Sequence, residues 1–270
     1  TNNVAALAAG GIAIQDALKV QVRNNTVAHN DAVSTAAAAF EPNSPNESTA
    51  LVAGIAARVH SPDLGTLMGS VSAGVDPDWA FFSDPILIND IVYNNRSFYW
   101  LNFDDPATPE IEVGLFPASC VDPENNPGAP GCDLDNVDLY SNDLAVLDGR
   151  VDTGDPLDPN YSLLTAAYPG GANNLFGPVA DPAFVNGYFN VGRGQTLVQP
   201  EFKTLQTAGA FDEGGNFIQV QYGPLSLLEP GVEPDPADNT TLLDYHVTAN
   251  SAAINNADNV PAGRLSEDFD

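Results

Sequence analysis

One phrase is written twice in this chain. Val22-Arg23-Asn24-Asn25-Thr26-Val27-Ala28-His29-Asn30 returns, loosened, as Leu87-Ile88-Asn89-Asp90-Ile91-Val92-Tyr93-Asn94-Asn95. Each copy is a short β-prone run, an asparagine corner, a second short run and a closing asparagine. Asn24 and Asn89 lie 65 positions apart, as do Asn30 and Asn95. With roughly 20–25 residues to a coil, that offset spans about three coils of a parallel β-helix. Neither phrase can bury its own apolar face, so stacked neighbours must do it, with Val22 lying over residues of the Leu87 type. Asparagine suits the corners because it tolerates positive φ. Asn24, Asn30, Asn89 and Asn95 are therefore the expected structural corner positions. A β-sandwich containing two similar strands is the competing fold.

Charge narrows the partners. The 270 residues carry 36 acidic side chains against 8 basic ones, a formal charge of −28. Such a chain repels nucleic acid and anionic membrane surfaces. Acidity on this scale suits a secreted protein kept soluble by charge, a halophilic setting, or a surface that gathers divalent cations. A 43% hydrophobic content is enough to build a sizeable core. No apolar stretch is long enough to span a membrane. The N-terminal Thr1-Asn2-Asn3-Val4 lacks the shape of a signal peptide, and the chain reads as a piece of a longer protein.

Cys120 and Cys132 flank a stretch rich in proline, glycine and asparagine that has no helical character. A disulfide there is expected to restrain the unfolded loop by roughly 3 kcal/mol in the chain-entropy model, and it points to an oxidising compartment. A metal or redox pair is the weaker reading, since no histidine or further cysteine lies nearby.

Along the chain, residues 1–105 read as the final β-helix coils with a loop excursion near 61–80. Residues 106–180 form a loop-rich region punctuated by Asp105-Pro106, Asp122-Pro123, Asp155-Pro156 and Asp158-Pro159. Residues 181–270 read as a β-rich C-terminal cap. No linker divides these parts, so the expectation is one continuous all-β domain.

Four phrases carry a family resemblance. Phe82-Ser83-Asp84-Pro85-Ile86-Leu87-Ile88-Asn89-Asp90 resembles the last coils of bacterial surface right-handed parallel β-helix proteins, the choice-of-anchor or polymorphic-outer-membrane-like group. Ala180-Asp181-Pro182-Ala183-Phe184-Val185 and Leu243-Asp244-Tyr245-His246-Val247-Thr248-Ala249-Asn250-Ser251-Ala252-Ala253-Ile254-Asn255 resemble the C-terminal region of the same group. The closing Leu265-Ser266-Glu267-Asp268-Phe269-Asp270 is similar to the start of its final motif. Ala252 departs from the proline usual at its position, as does Asn256-Ala257 from an Ala-Gly pair. The resemblance implies a right-handed solenoid with long loop insertions and an irregular cap, on an extracellular or surface-anchored protein.

Catalytic signatures are sparse. His29, His60 and His246 are scattered, the few basic residues do not cluster, and the phosphate-loop pattern does not occur. Asp133-Leu134-Asp135-Asn136-Val137-Asp138 offers hard oxygen ligands, so Asp133, Asp135, Asn136 and Asp138 are the candidate calcium ligands. No motif requires a cofactor. Trp79, Phe81, Phe82, Phe98, Tyr99 and Trp100 are either core or a stacking face for sugar rings, with core or solenoid cap favoured.

The expected function is a non-enzymatic structural or adhesive module, part of a larger surface protein or assembly. Its partners would be other polypeptides, the missing N-terminal part of its own protein, or a glycan. The alternatives are a polysaccharide-binding or polysaccharide-degrading protein, and an accessory subunit of an extracellular filament or electron-transfer complex.

Overall fold

The computed structural model describes residues 1–42, 44–71, 78–104, 111–120, 132, 141–148, 151–187 and 244–257. The chain opens with β1 (Val4–Ala5), β2 (Ile12–Ile14), β3 (Gln21–Arg23), β4 (Thr26–Ala28) and β5 (Asp31–Ala32). There follow β6 (Ile55–Arg58), the helix α1 (Pro62–Val71), β7 (Ile86–Ile88), β8 (Ile91–Tyr93), β9 (Arg96–Asp104) and β10 (Ile111–Pro117). Then come β11 (Leu144–Asp148), β12 (Val151–Asp152), β13 (Pro159–Asn160), β14 (Leu163–Leu164), β15 (Leu175–Phe176), β16 (Phe184–Asn186) and β17 (Asp244–Val247).

These strands form small sheets. Their orders are β1-β5-β9-β10, β12-β11-β6-β2, β13-β7-β3, β15-β14-β8-β4 and the pair β16-β17. Pairing is parallel except for β9 with β10, β11 with β12, and β16 with β17. The two copies of the repeated phrase lie directly side by side. Val22 pairs with Leu87 across β3 and β7, and Val27 with Val92 across β4 and β8.

The expected all-β solenoid of short coils is overturned. The 65-residue offset is a single strand-to-strand step, because β3 meets β7 with nothing between them. Within that step lie α1 and two 3-10 turns, at Ala37–Ala39 and Asp78–Ala80, so the chain does not wind with a short period. What results is a set of sheets of two to four short strands, mostly parallel, with a helix and turns between them. The helix sits in the stretch read as a loop excursion. Proline at its first position and Asp63 in its first turn suit a helix start, and the Gly65 N–H closes onto the Ser61 carbonyl at 2.8 Å.

The main core draws on three of the sheets, those containing β2, β3 and β4. Ile14, Val22, Val27, Ile55, Leu87, Val92, Leu144, Val146 and Leu164 are buried together. In β3, β4, β7 and β8 the middle side chains Val22, Val27, Leu87 and Val92 turn into this core, whereas β2 enters it with its ends, Ile12 and Ile14. A second cluster packs Phe98 and Trp100 of β9 against Val4, Val33 and Phe40. The opposite face of β9 buries Tyr99 and Leu101 beside Cys120. Cys120 and Cys132 form the disulfide expected from the sequence, with their Cα atoms 4.4 Å apart.

Close backbone approach explains one glycine. A Cβ built on Gly54 would sit 2.2 Å from the carbonyl oxygen of Asp143, which accepts from the Ile55 N–H at 2.7 Å. Gly54→Ala must therefore push β11 away from β6. A loss of about 1–3 kcal/mol is expected, as for other overpacked cores, and thermal melting reads it. An unchanged midpoint would contradict this strand spacing.

Candidate functional site

The residues with chemistry to offer gather where the parallel sheets stack, and they are asparagines and aspartates in register. Asn30 donates from its backbone N–H (3.2 Å) and its Nδ2 (2.8 Å) to Asn95 Oδ1. Asn95 Nδ2 passes the chain on, to Asp143 Oδ1 at 2.8 Å and to the Val27 carbonyl at 2.9 Å. At the other end, Asn3 donates from its N–H and its Nδ2 to Asn30 Oδ1. Asp143 closes the ladder by accepting the Thr165 N–H at 3.0 Å on its second oxygen. Asn30 and Asn95 are wholly buried.

A second ladder runs parallel to the first. Asn25 donates its N–H (2.9 Å) and Nδ2 (3.2 Å) to Asp90 Oδ1, and the Asp90 N–H donates to Ser162 Oγ. The Ser162 N–H then donates to Asn174 Oδ1, whose Nδ2 reaches the Pro159 carbonyl. Next to the first ladder lies a buried ion pair. Arg96 Nε and Nη2 each meet an Asp31 oxygen at 2.8 Å, and the guanidinium rests 5.4 Å from the Phe98 ring centre. A fork-to-carboxylate contact of this kind is strong and fixes geometry.

The buried carboxyls are tuned by desolvation. Burial pushes both Asp90 and Asp143 up to about 6, against the pull of their hydrogen bonds from Asn25 and from Asn95 and Thr165. Asp16, at the surface, is held below the ordinary range by the Ser61 backbone N–H. Asp244 is likewise lowered by the His246 backbone N–H.

The remaining expected residues scatter. Asn24 (φ 56°) and Asn89 (φ 60°) take left-handed backbone at the same level of adjacent strands, joined by the Asn24 N–H to the Ile88 carbonyl. A branched or bulky residue is strained there, so Asn89→Leu is expected to cost roughly 1 kcal/mol, read as a lower melting midpoint. An unchanged midpoint would count against a corner role for Asn89. Asp133, Asp135, Asn136 and Asp138, the candidate calcium ligands, lie outside the described residues. Among the described residues, no group of three or more His, Cys, Asp or Glu side chains is placed to hold a metal ion.

Phe82, Phe98, Tyr99 and Trp100 are buried, and only Phe81 of the aromatic set stands well exposed, at 68%. Trp79 is half-buried and donates from its Nε1 to the Asp84 carbonyl. His60 is buried with Nε2 3.0 Å from the Trp79 carbonyl, and His246 is exposed beside Asp244. His29 is buried under the β16–β17 pair, its Nδ1 3.0 Å from Tyr245 Oη, which donates to Asn2 Oδ1. The two cap phrases compared with surface proteins thus pair with each other, Phe184 opposite Val247 and Asn186 opposite Asp244.

Sequence reading missed Asp31, Arg96, Asp90 and Asp143. The signal was present for three of them. Asp31 with Arg96, Asn25 with Asp90 and Asn30 with Asn95 are all separated by 65 positions, so the offset itself names the bonded partners. Beside Asp143 is a cavity of about 280 Å³ lined by Ser141, Leu144, Asp155, Leu164 and Tyr168. No helix among the described residues is long and apolar enough to cross a membrane. No protein-family model matches the chain, and neither a curated protein nor a solved structure matches it.

Proposed function

We propose that this chain is a non-enzymatic structural or adhesive module that works outside the cytoplasm as part of a larger surface assembly. One observation carries the reading. The buried polar side chains of Asn30, Asn95, Asp31 and Arg96, with the partly buried Asp143, are spent on bonding neighbouring strands to one another, which makes a stiff body. The disulfide suits an oxidising compartment. The charge of −28 favours basic partner surfaces and speeds encounter with them. The likeness of the 180–185 and 243–247 phrases to bacterial surface proteins points the same way.

Incubation with a panel of acidic and neutral polysaccharides tests the reading. Reducing ends and unsaturated products should not rise above the protein-free control. Release of fragments from any one polymer would overturn it and favour a polysaccharide-degrading protein, with the cavity beside Asp143 as the first place to mutate.

A further inference from the structure

Asp90 is set apart from the other ladder residues by its second oxygen. Its Oδ1 takes both Asn25 donors, while Oδ2 is sealed from solvent with no hydrogen-bond partner. The residue as a whole is 1% exposed. The groups that act on its carboxyl come from Asn25 and from the Ile88 backbone, and neither is charged. The corner formed by Asn160, Tyr161 and Ser162 is bonded to the main chain of Asp90. The Ser162 hydroxyl accepts from the Asp90 N–H, and the Leu163 N–H donates to the Asp90 carbonyl at 2.9 Å. Tyr161 holds that corner at φ 52°, a conformation that costs a bulky residue of order 1 kcal/mol or more. A carboxyl oxygen with no donor and no cation is well placed to carry a proton and poorly placed to carry a charge.

We propose that Asp90 is a pH-sensitive catch: as the neutral acid it lets the Asn160–Ser162 corner close over it, and as the carboxylate it favours opening of that corner to water. The consequence for a surface module is a body that is firmest in mildly acidic surroundings and loosens locally toward neutrality. Burial raises the carboxyl to about 6, so the sign is fixed. The contribution of this group is fully present below the ordinary value of 3.8 and is lost as pH rises through about 6. Asp143, also raised to about 6, differs because both of its oxygens accept hydrogen bonds, from Asn95 and from Thr165. Its ionisation leaves no oxygen unpartnered, so it is the internal comparison. Both proton equilibria act on the same stack, and only the Asp90 step is placed to free the corner.

Hydrogen exchange of the Leu163 amide, corrected for intrinsic rate, tests this at pH 5 and pH 7.5. Protection in the wild type should fall about 10-fold between the two, from the difference between a raised and an ordinary carboxyl. In Asp90→Asn it should hold within about 2-fold, since the variant has no proton to lose at that position. Equal protection at both pH values in the wild type would overturn the proposal, as would an undiminished fall in the variant. Titration of the Asp90 carboxyl carbon by NMR in the unaltered protein gives a second reading that needs no variant to fold. A midpoint above 5 is expected, and one at the ordinary carboxylate value would refute the catch.

Discussion

Arg96→Met is expected to destabilise the protein by about 3–5 kcal/mol, the usual cost of stranding one member of a buried ion pair. Asp31 has no exposure, so its carboxylate has no water to turn to when the guanidinium leaves. The substitution also removes the cation that lies over Phe98, inside the second core cluster. A chain of this length should show a fall in melting midpoint on the order of 10 °C. The partner substitution separates charge from packing. Arg96→Met combined with Asp31→Leu removes both charges together, and it should recover much of the loss because an apolar pair pays no desolvation. If the double variant melts as low as the single one, the pair is held for its shape and the electrostatic account fails.

Asn95→Ala should cost on the order of 3 kcal/mol, since it strands several buried groups at once. The Asn30 N–H and Nδ2 lose their acceptor, while the Val27 carbonyl and Asp143 Oδ1 lose a donor. Asn95→Asp should do worse at neutral pH. It sets a carboxylate oxygen against Asp143 Oδ1 and the Val27 carbonyl, where the amide had donated. Protonating either acid relieves that opposition, so the gap between Asn95→Asp and wild type should narrow from pH 7.5 to pH 5. Chemical denaturation at the two pH values measures it. A gap independent of pH would mean that Asn95 does not sit against Asp143 as described.

These two sites also show what the sequence reveals and where it stops. The repeated phrase is plain in the letters, and its offset of 65 is the register of β3 with β7 and of β4 with β8. That offset does not divide into equal coils, because α1 and two 3-10 turns lie within it. Periodicity in the letters reports which strands resemble each other, whereas α1 and the turns that lengthen the step leave no periodic trace. Asp31 and Arg96 stand 65 residues apart, the offset of the repeat itself, and the pairing of β5 with β9 brings them together. The disulfide was legible because short separation and turn-rich composition are local properties. The aromatic run at 98–100 was legible as core for a different reason: alternate side chains of one long strand enter two clusters, Phe98 and Trp100 on one side and Tyr99 on the other. The carboxyl of Asp143 leaves no such mark, because in the letters it looks like the many aspartates of an acidic surface.

The claim that this is a component of an assembly is tested most directly by native mass spectrometry of the chain as isolated from its natural source, with no ligand added. The account predicts that it travels with other polypeptides, that added salt weakens the association, and that Cys120 and Cys132 are oxidised. A chain that runs alone with a bound glycan, or with both thiols free, would contradict it.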